Sequence, residues 1–412
     1  MSSETNSIGK YSDWSKEDLI SRILELETPK NEQNGTIIKR DQKPQKKSKP
    51  FDFSKHHTRF IALKFSYLGW NYNGLAIQKE PTPLPTVEGT IIEALNKCKL
   101  IPSLNPGNFN FSRCGRTDKG VSALNQVISL KVRSNLTPEE QLDPNLDSKE
   151  FDYINILNGI LPSDIKIHEI SLRPPQGFDA RFSCTSRHYK YLFHQQGLDI
   201  ELMQKAAKLY EGSHDFRNFC KIDGSKQISN YERTILKSQI LDLGNGLYCF
   251  DLEGSAFLWH QVRNMVAILF LVGQKLESPG IVTQLMNIQE TPTRPLFDMG
   301  SDIPLILYDC KFPEMEWVKA NKCAKYEKTL TSVYSQWIEL NMKTQVAKFM
   351  YEKFVNDDDI FQNSNERRTR INLGDGKGKI VGEYVPLFKR DRMESFEVVN
   401  ERWKKRKLND KN

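Results

Sequence analysis

The chain has 412 residues, 38% apolar and 27% charged, which excludes a minimal disulfide-stapled scaffold and a wholly disordered chain and predicts about two to three domains. A net charge of +7 points to a polyanionic partner, nucleic acid first. The longest apolar run, Met265–Val272, falls far short of the roughly 20 residues that cross a bilayer, so no membrane association is expected.

The opening MSSETNSIGK has no apolar core of a secretory signal and carries an acid where a mitochondrial presequence favours Arg, so an intracellular location, nucleus and cytoplasm, is expected. Residues 1–57 read as an appendage. Within it, Trp14–Glu27 places Leu19, Ile23 and Leu26 on one helical stripe behind Ser15, an N-cap with Asp18 three residues on. Residues 29–57 have linker composition and a basic run of Lys39, Arg40, Lys43, Lys46, Lys47 and Lys49. Such a run can grip phosphate, aid solubility or act as an import signal.

Ordered structure is expected from Thr58, where Ile61, Leu63, Phe65 and Tyr67 alternate with smaller or polar residues as in a half-buried strand. A helix over 86–100 follows, then a strand over 108–113, a glycine-bounded turn at 115–120 and a strand over 126–132. Helix 153–161, strands 165–172 and 187–194, and helix 200–211 continue the pattern. A second round has strands 232–243 and 246–253, helices 257–276 and 279–288, and a strand over 304–311. The class is α+β, and two rounds of strands and helices imply two half-domains, 58–185 and 186–313, with a site in the crevice between them. Residues 314–412 form a C-terminal extension with a helix over 331–354 and a basic tail at Arg402–Lys407. Its glycine-rich LGDGKGK lacks both the context of a dinucleotide fingerprint and a P-loop ending, and reads as a turn. The seven cysteines (Cys98, Cys114, Cys184, Cys220, Cys249, Cys310 and Cys323) contain no CxxC pair and are odd in number, so neither a disulfide framework nor a structural zinc site is expected.

The densest chemical signal is Ser112–Ala123, SRCGRTDKGVSA. It sets Asp118 between Arg116 and Lys119 in a loop joining two strands, with Gly115 and Gly120 lending backbone freedom. Good turn chemistry alone would explain that string. A carboxylate beside cations, however, stays ionised and available as a nucleophile or charge stabiliser. Tyr189, Tyr191 and Phe193 share one face of a strand and read equally as core. His260, one turn before Arg263, reads as a packing residue.

The loop resembles the catalytic loop of TruA-type tRNA pseudouridine synthases, whose GRTD core carries the required aspartate, here Asp118. Tyr67–Gln78 (YLGWNYNGLAIQ) resembles the family's first strand and turn, with Leu75 where Trp is frequent. Phe178–Tyr191 (FDARFSCTSRHYKY) resembles the second motif, which implies that Tyr189 lies against the target uracil. Ala256–Val266 (AFLWHQVRNMV) resembles the third, which implies that Arg263 pairs with the aspartate. The resemblance further implies that Arg116 helps extrude the nucleotide, that Leu305 walls the pocket, and that two ferredoxin-like half-domains form one mixed, largely antiparallel sheet. Lys119 is expected to touch phosphate.

Isomerising uridine to pseudouridine moves the glycosidic bond from N1 to C5 with no redox change, so no cofactor and no metal are expected. It calls for a carboxylate near C1′, a cation to position it and an aromatic face for a flipped base. Cys114-Gly115 and Ser122 look most like the eukaryotic subgroup that acts at positions 38 and 39 of the anticodon stem-loop; other tRNA positions remain the alternative. A non-catalytic RNA-binding protein would not need Asp, Tyr and Arg in these motifs, and a glycosidase would need a second acid. The partner is tRNA, and a homodimer stays open because bacterial members are dimers while eukaryotic members vary.

Overall fold

The first expected strand lies inside the sheet, paired antiparallel on both sides, and its alternating apolar residues face the core. In the computed structural model, β1 (His57–Tyr67) is followed by α1 (Val87–Lys97), β2 (Ser112–Arg113), β3 (Ser122–Ser134), α2 (Tyr153–Asn158), β4 (Ile165–Ser171) and β5 (Ser186–His194). Then come α3 (Ile200–Lys208), β6 (Gly212–Asp215), β7 (Glu232–Asp242), β8 (Leu247–Gly254), α4 (Gln261–Gly273), α5 (Ile281–Met286) and β9 (Leu305–Lys311). The extension adds β10 (Val318–Lys319), α6 (Ala324–Tyr351), β11 (Thr369–Ile371), β12 (Lys379–Val381) and α7 (Phe396–Asn409). The structure describes residues 14, 15, 18, 22, 51–354 and 368–409.

One sheet runs β10-β4-β1-β3-β9-β5-β8-β7-β6, with β2 paired to β3. β3 and β9 are parallel, with Ser122 opposite Ile306, whereas β9 and β5 are antiparallel, with Leu305 opposite Tyr191. The last strand of the 58–313 region thus sits between β3 and β5. A mixed, largely antiparallel sheet with helices is an α+β fold, as expected. Two apolar cores flank the β3–β9 seam. One is built on Ile61, Leu63, Ile91, Leu95 and Leu130, the other on Tyr191, Met203, Phe250, Ile268 and Phe270. Tyr189 packs against both.

Local chemistry sets the element ends. Thr86 caps α1 by accepting from the Gly89 amide at 3.2 Å, and Asp199 caps α3 by accepting from the Leu202 amide at 3.1 Å. The expected strand over 108–113 shrinks to Ser112–Arg113, because Pro106 opens a 3₁₀ turn and Asn110 is left-handed at φ +51°. The helix expected from 257 starts at Gln261, because His260 is left-handed at φ +64°. β6, β10, β11 and β12 were not expected from the sequence, and α7 lies where a basic tail was expected.

Residues 1–51 and 52–412 form separate units. In the first, Ser15 Oγ accepts from the Asp18 amide at 3.1 Å and the Asp18 carboxylate accepts from the Ser15 amide at 3.3 Å, the reciprocal cap expected there. Apart from Arg22, the rest of the expected helix, the basic run at 39–49 and most of the polar stretch before Arg370 lie outside the described residues. No helix among the described residues is long and apolar enough to cross a membrane.

Candidate active site

The loop carrying Asp118 is built against the strand and turn of the first motif. Tyr67, at the end of β1, hydrogen-bonds Thr117 Oγ1 through its hydroxyl at 2.7 Å, a buried contact. The Leu75 amide donates to Thr117 O at 3.2 Å, the Gly120 amide to Tyr72 O at 3.3 Å, and the Gly69 amide to Ser122 Oγ at 3.0 Å. Two glycines permit this approach. A Cβ on Gly69 would lie 2.0 Å from Val121 O, and one on Gly74, at φ +85°, would lie 2.7 Å from Thr117 O. Gly120 also needs its left-handed φ of +80°. Gly115 does not: its φ is not positive and nothing crowds its Cβ position, so the freedom expected of it is not used.

The third motif meets this loop at the start of α4. Trp259 Nε1 donates to Asp118 Oδ1 at 3.2 Å, His260 Nε2 lies 3.4 Å from Oδ2, and Arg263 Nη1 lies 3.8 Å from Oδ2. The left-handed backbone of His260 is what lets consecutive residues 259 and 260 face one carboxylate, a strained φ placed at a site. Burial lowers the His260 pKa below its ordinary value, with the Asp118 charge opposing and Arg263, Lys221 and Arg294 assisting, so the ring is neutral at pH 7. Reading His260 as a packing residue missed this contact, and Trp259 went unremarked; their position in the third motif, one turn ahead of Arg263, was the available signal.

Tyr189 lies half-buried on β5, its ring 5.0 Å from that of Phe257 at 81°. Burial raises its phenol pKa far above 10, so the hydroxyl keeps its proton. The residues that share its face, Tyr191 and Phe193, are core, as the alternative reading held. Leu305 opens β9 and is buried. Arg116 and Lys119 flank Asp118 and are exposed; among the described residues neither makes an ion pair. The structure therefore brings Asp118, Arg263, Trp259 and His260 together, sets Tyr189 at the seam between the two cores, and leaves Arg116 and Lys119 at the rim.

Arg263 is held from behind by Gly300, which the C-terminal extension backs in turn, a support that no motif signalled. Its Nε donates to Gly300 O at 2.8 Å, and the Gly300 amide returns a bond to Arg263 O at 3.0 Å. The adjoining Ser301 amide donates to Leu373 O at 2.7 Å, which also accepts from the Tyr191 hydroxyl at 3.3 Å. Gln274 anchors the same segment through Arg370 O and the Asn372 amide, each at 2.8 Å. Gly374, Gly376 and Gly378 are all left-handed, so LGDGKGK is a turn, as expected; a Cβ on Gly374 would lie 2.3 Å from Tyr191 Oη.

Comparison with known proteins relates the chain to a family. A family model described as tRNA pseudouridine synthase matches residues 206–313. The tRNA pseudouridine(38/39) synthase of Saccharomyces cerevisiae is 56% identical across 97% of this chain and 93% of its own length. The chain belongs to the tRNA pseudouridine synthase family. Within that family it is similar also to the human tRNA pseudouridine(38/39) synthase, at 38% identity over 82% of this chain and 74% of that one. The tRNA pseudouridine synthase A of Methanococcoides burtonii is 31% identical over 63% of this chain and 85% of its own.

Proposed function

We propose that this chain is a tRNA pseudouridine(38/39) synthase, an isomerase that converts uridine to pseudouridine at positions 38 and 39 of the anticodon stem-loop. Its similarity to enzymes of that name in yeast, human and mouse supports the reaction and the positions. The single observation that carries the chemistry is the convergence of Trp259 Nε1, His260 Nε2 and Arg263 Nη1 on the one carboxylate of Asp118.

In this reading Asp118 is the essential catalytic carboxylate. Arg263 and the Trp259 N–H orient it, and a side chain with about a quarter of its surface open stays within reach of a flipped nucleotide. Tyr189 offers its ring to the extruded uracil. Its hydroxyl, protonated at neutral pH, can donate but not act as a standing base. Leu305 supplies apolar wall, Arg116 enters the space that the nucleotide vacates, and Lys119 meets phosphate. The reaction balances within the substrate: the N1–C1′ bond breaks, C5–C1′ forms, and the C5 proton is exchanged for one on N1.

The catalytic region consists of half-domains 58–185 and 186–313, flanked by an appendage to residue 57 and the extension from 314. The chain works in nucleus and cytoplasm as a homodimer with tRNA as partner. The homodimer is supported by α6, none of whose residues is buried and which exposes Val333, Trp337 and Leu340 at heptad spacing. Incubating the purified protein with unmodified tRNA transcripts and mapping pseudouridine through carbodiimide adducts tests reaction and position together. Adducts confined to positions 38 and 39 at unchanged RNA mass are the expected result. Modification only at 27 and 28 or at 55 would remove the position assignment, and release of free uracil would remove the isomerase.

A further inference from the structure

Cys114, Cys184 and Cys310 lie far apart in sequence, and the fold gathers them. Cys114 follows β2 at the entrance to the Asp118 loop, Cys184 stands two residues before β5, and Cys310 lies in β9. Their sulfurs all fall within 4.8 Å of one another. Among the described residues this is the one group of three His, Cys, Asp or Glu side chains whose ligand atoms converge.

A buried thiol is ordinarily a small apolar packing residue, and Cys249, fully buried in β8, fits that description. The trio differs in three respects. Tetrahedral ligation with zinc–sulfur bonds of about 2.3 Å places sulfurs about 3.8 Å apart, so the observed spacing needs a closure of no more than about 1 Å. Cys114 and Cys310 are buried while Cys184 is half-buried, so Cys184, whose thiol donates to Ser186 O at 3.3 Å, is the one of the three nearest solvent. The charge balances as well. Three thiolates around a divalent ion carry one net negative charge, and the Arg187 guanidinium stands beside them, donating to Cys114 O at 3.2 Å and to Ser255 O at 2.8 Å.

We propose that Cys114, Cys184 and Cys310 form a three-thiolate site for one Zn²⁺ ion. The soft all-sulfur donor set selects a thiophilic ion over magnesium or calcium. On binding, each thiol gives its proton to solvent, and the fourth position is taken by water. The ion joins the lead-in of the Asp118 loop to β5, which carries Tyr189, and to β9, which Leu305 opens. It is structural: no step of the isomerisation passes through it, and the site stands or falls apart from the proposed function.

The test is metal content. Full-length protein purified without chelator and analysed by plasma mass spectrometry should hold about one zinc per chain. Cobalt titrated into chelated protein should raise the near-ultraviolet sulfur-to-cobalt charge-transfer band. Cys184→Ser, which nearly keeps the volume of a half-buried residue, should weaken binding by about a hundredfold or more, since a direct ligand matters more than the tenfold to hundredfold typical of a residue behind it. Cys323→Ser, at an exposed cysteine outside the group, should leave zinc content unchanged. Circular dichroism and tRNA binding of Cys184→Ser separate loss of the site from loss of the fold. Protein that retains no zinc and shows no cobalt–thiolate band would overturn the proposal, as would copper recovered in place of zinc or a folded Cys184→Ser that binds zinc as tightly as wild type.

Discussion

The Asp118 loop and helix α6 are opposites in how they are held. The loop, Ser112–Ala123, has little apolar surface, yet the Tyr67 hydroxyl, the backbone of residues 69–75 and the start of α4 fix it from three directions. Helix α6, Ala324–Tyr351, is rich in large apolar side chains, yet none of its residues is buried; Trp337 is 57% exposed. Asn155 meets Asn321 O and Cys323 Sγ just ahead of its first turn, and Gln196 meets the Tyr351 hydroxyl at its far end. Apolar composition therefore does not decide which segment is held. Polar groups that find partners at close backbone approach fix a loop, and apolar groups without a facing surface leave a helix to be completed by something else.

Five measurements would break or sharpen that contrast. Asp118→Asn should abolish pseudouridine formation while tRNA affinity stays within several-fold of wild type, because it removes only the charge that three groups converge upon and leaves phosphate contacts intact. Appreciable turnover by this variant would detach the loop from catalysis. Gly69→Ala forces the Val121 carbonyl to move, and a shift of about 1 Å in the loop should lower turnover by about a hundredfold; a normal rate would mean that the loop is not held where its backbone contacts put it.

Tyr189→Phe should keep base stacking and lose any step that needs the hydroxyl, whereas Tyr189→Leu should also lose stacking worth about 1–3 kcal/mol. Equal, near-normal rates for the two would return Tyr189 to the core. The pH profile comes next. Because the fold lowers the His260 pKa, its contribution to stability is complete above the unfolded value of about 6.5 and is lost as pH falls below it toward the folded value. His260→Gln should flatten that limb of a thermal-denaturation series, and an unchanged limb would assign the acid sensitivity elsewhere. The smallest effect belongs to α6: Trp337→Ala should change stability measured at low protein concentration by no more than about 0.5 kcal/mol while weakening self-association in sedimentation. A larger loss would show that the exposed face is completed within the chain.

Much of this was legible in the residues themselves. Period-two alternation located β1 and β3, because strands with one buried face must alternate, and β4, β5 and β9 also lie within a few residues of the strands expected there. Thr86 marked the start of α1, and Ser15 with Asp18 marked a cap, since such side chains satisfy amides within three residues of themselves. Asp118, with basic neighbours and a glycine to close its turn, stood out as chemistry before any fold was known. These are local signals, and local conformation is what short stretches of sequence encode.

The tertiary structure alone decided what meets what. Gly69 and Gly74 are glycines because another segment's backbone passes within contact distance, which nothing in YLGWNYNGL announces. His260 turned from a packing residue into a neighbour of Asp118 through one left-handed φ. Leu373 reaches Ser301 from the far end of the chain, and three cysteines without a shared motif converge only after β9 enters between β3 and β5. Periodicity and capping act over a few residues and can be read along the chain, whereas these meetings depend on strand order and register, which are settled by the burial of whole cores and by no single stretch of sequence.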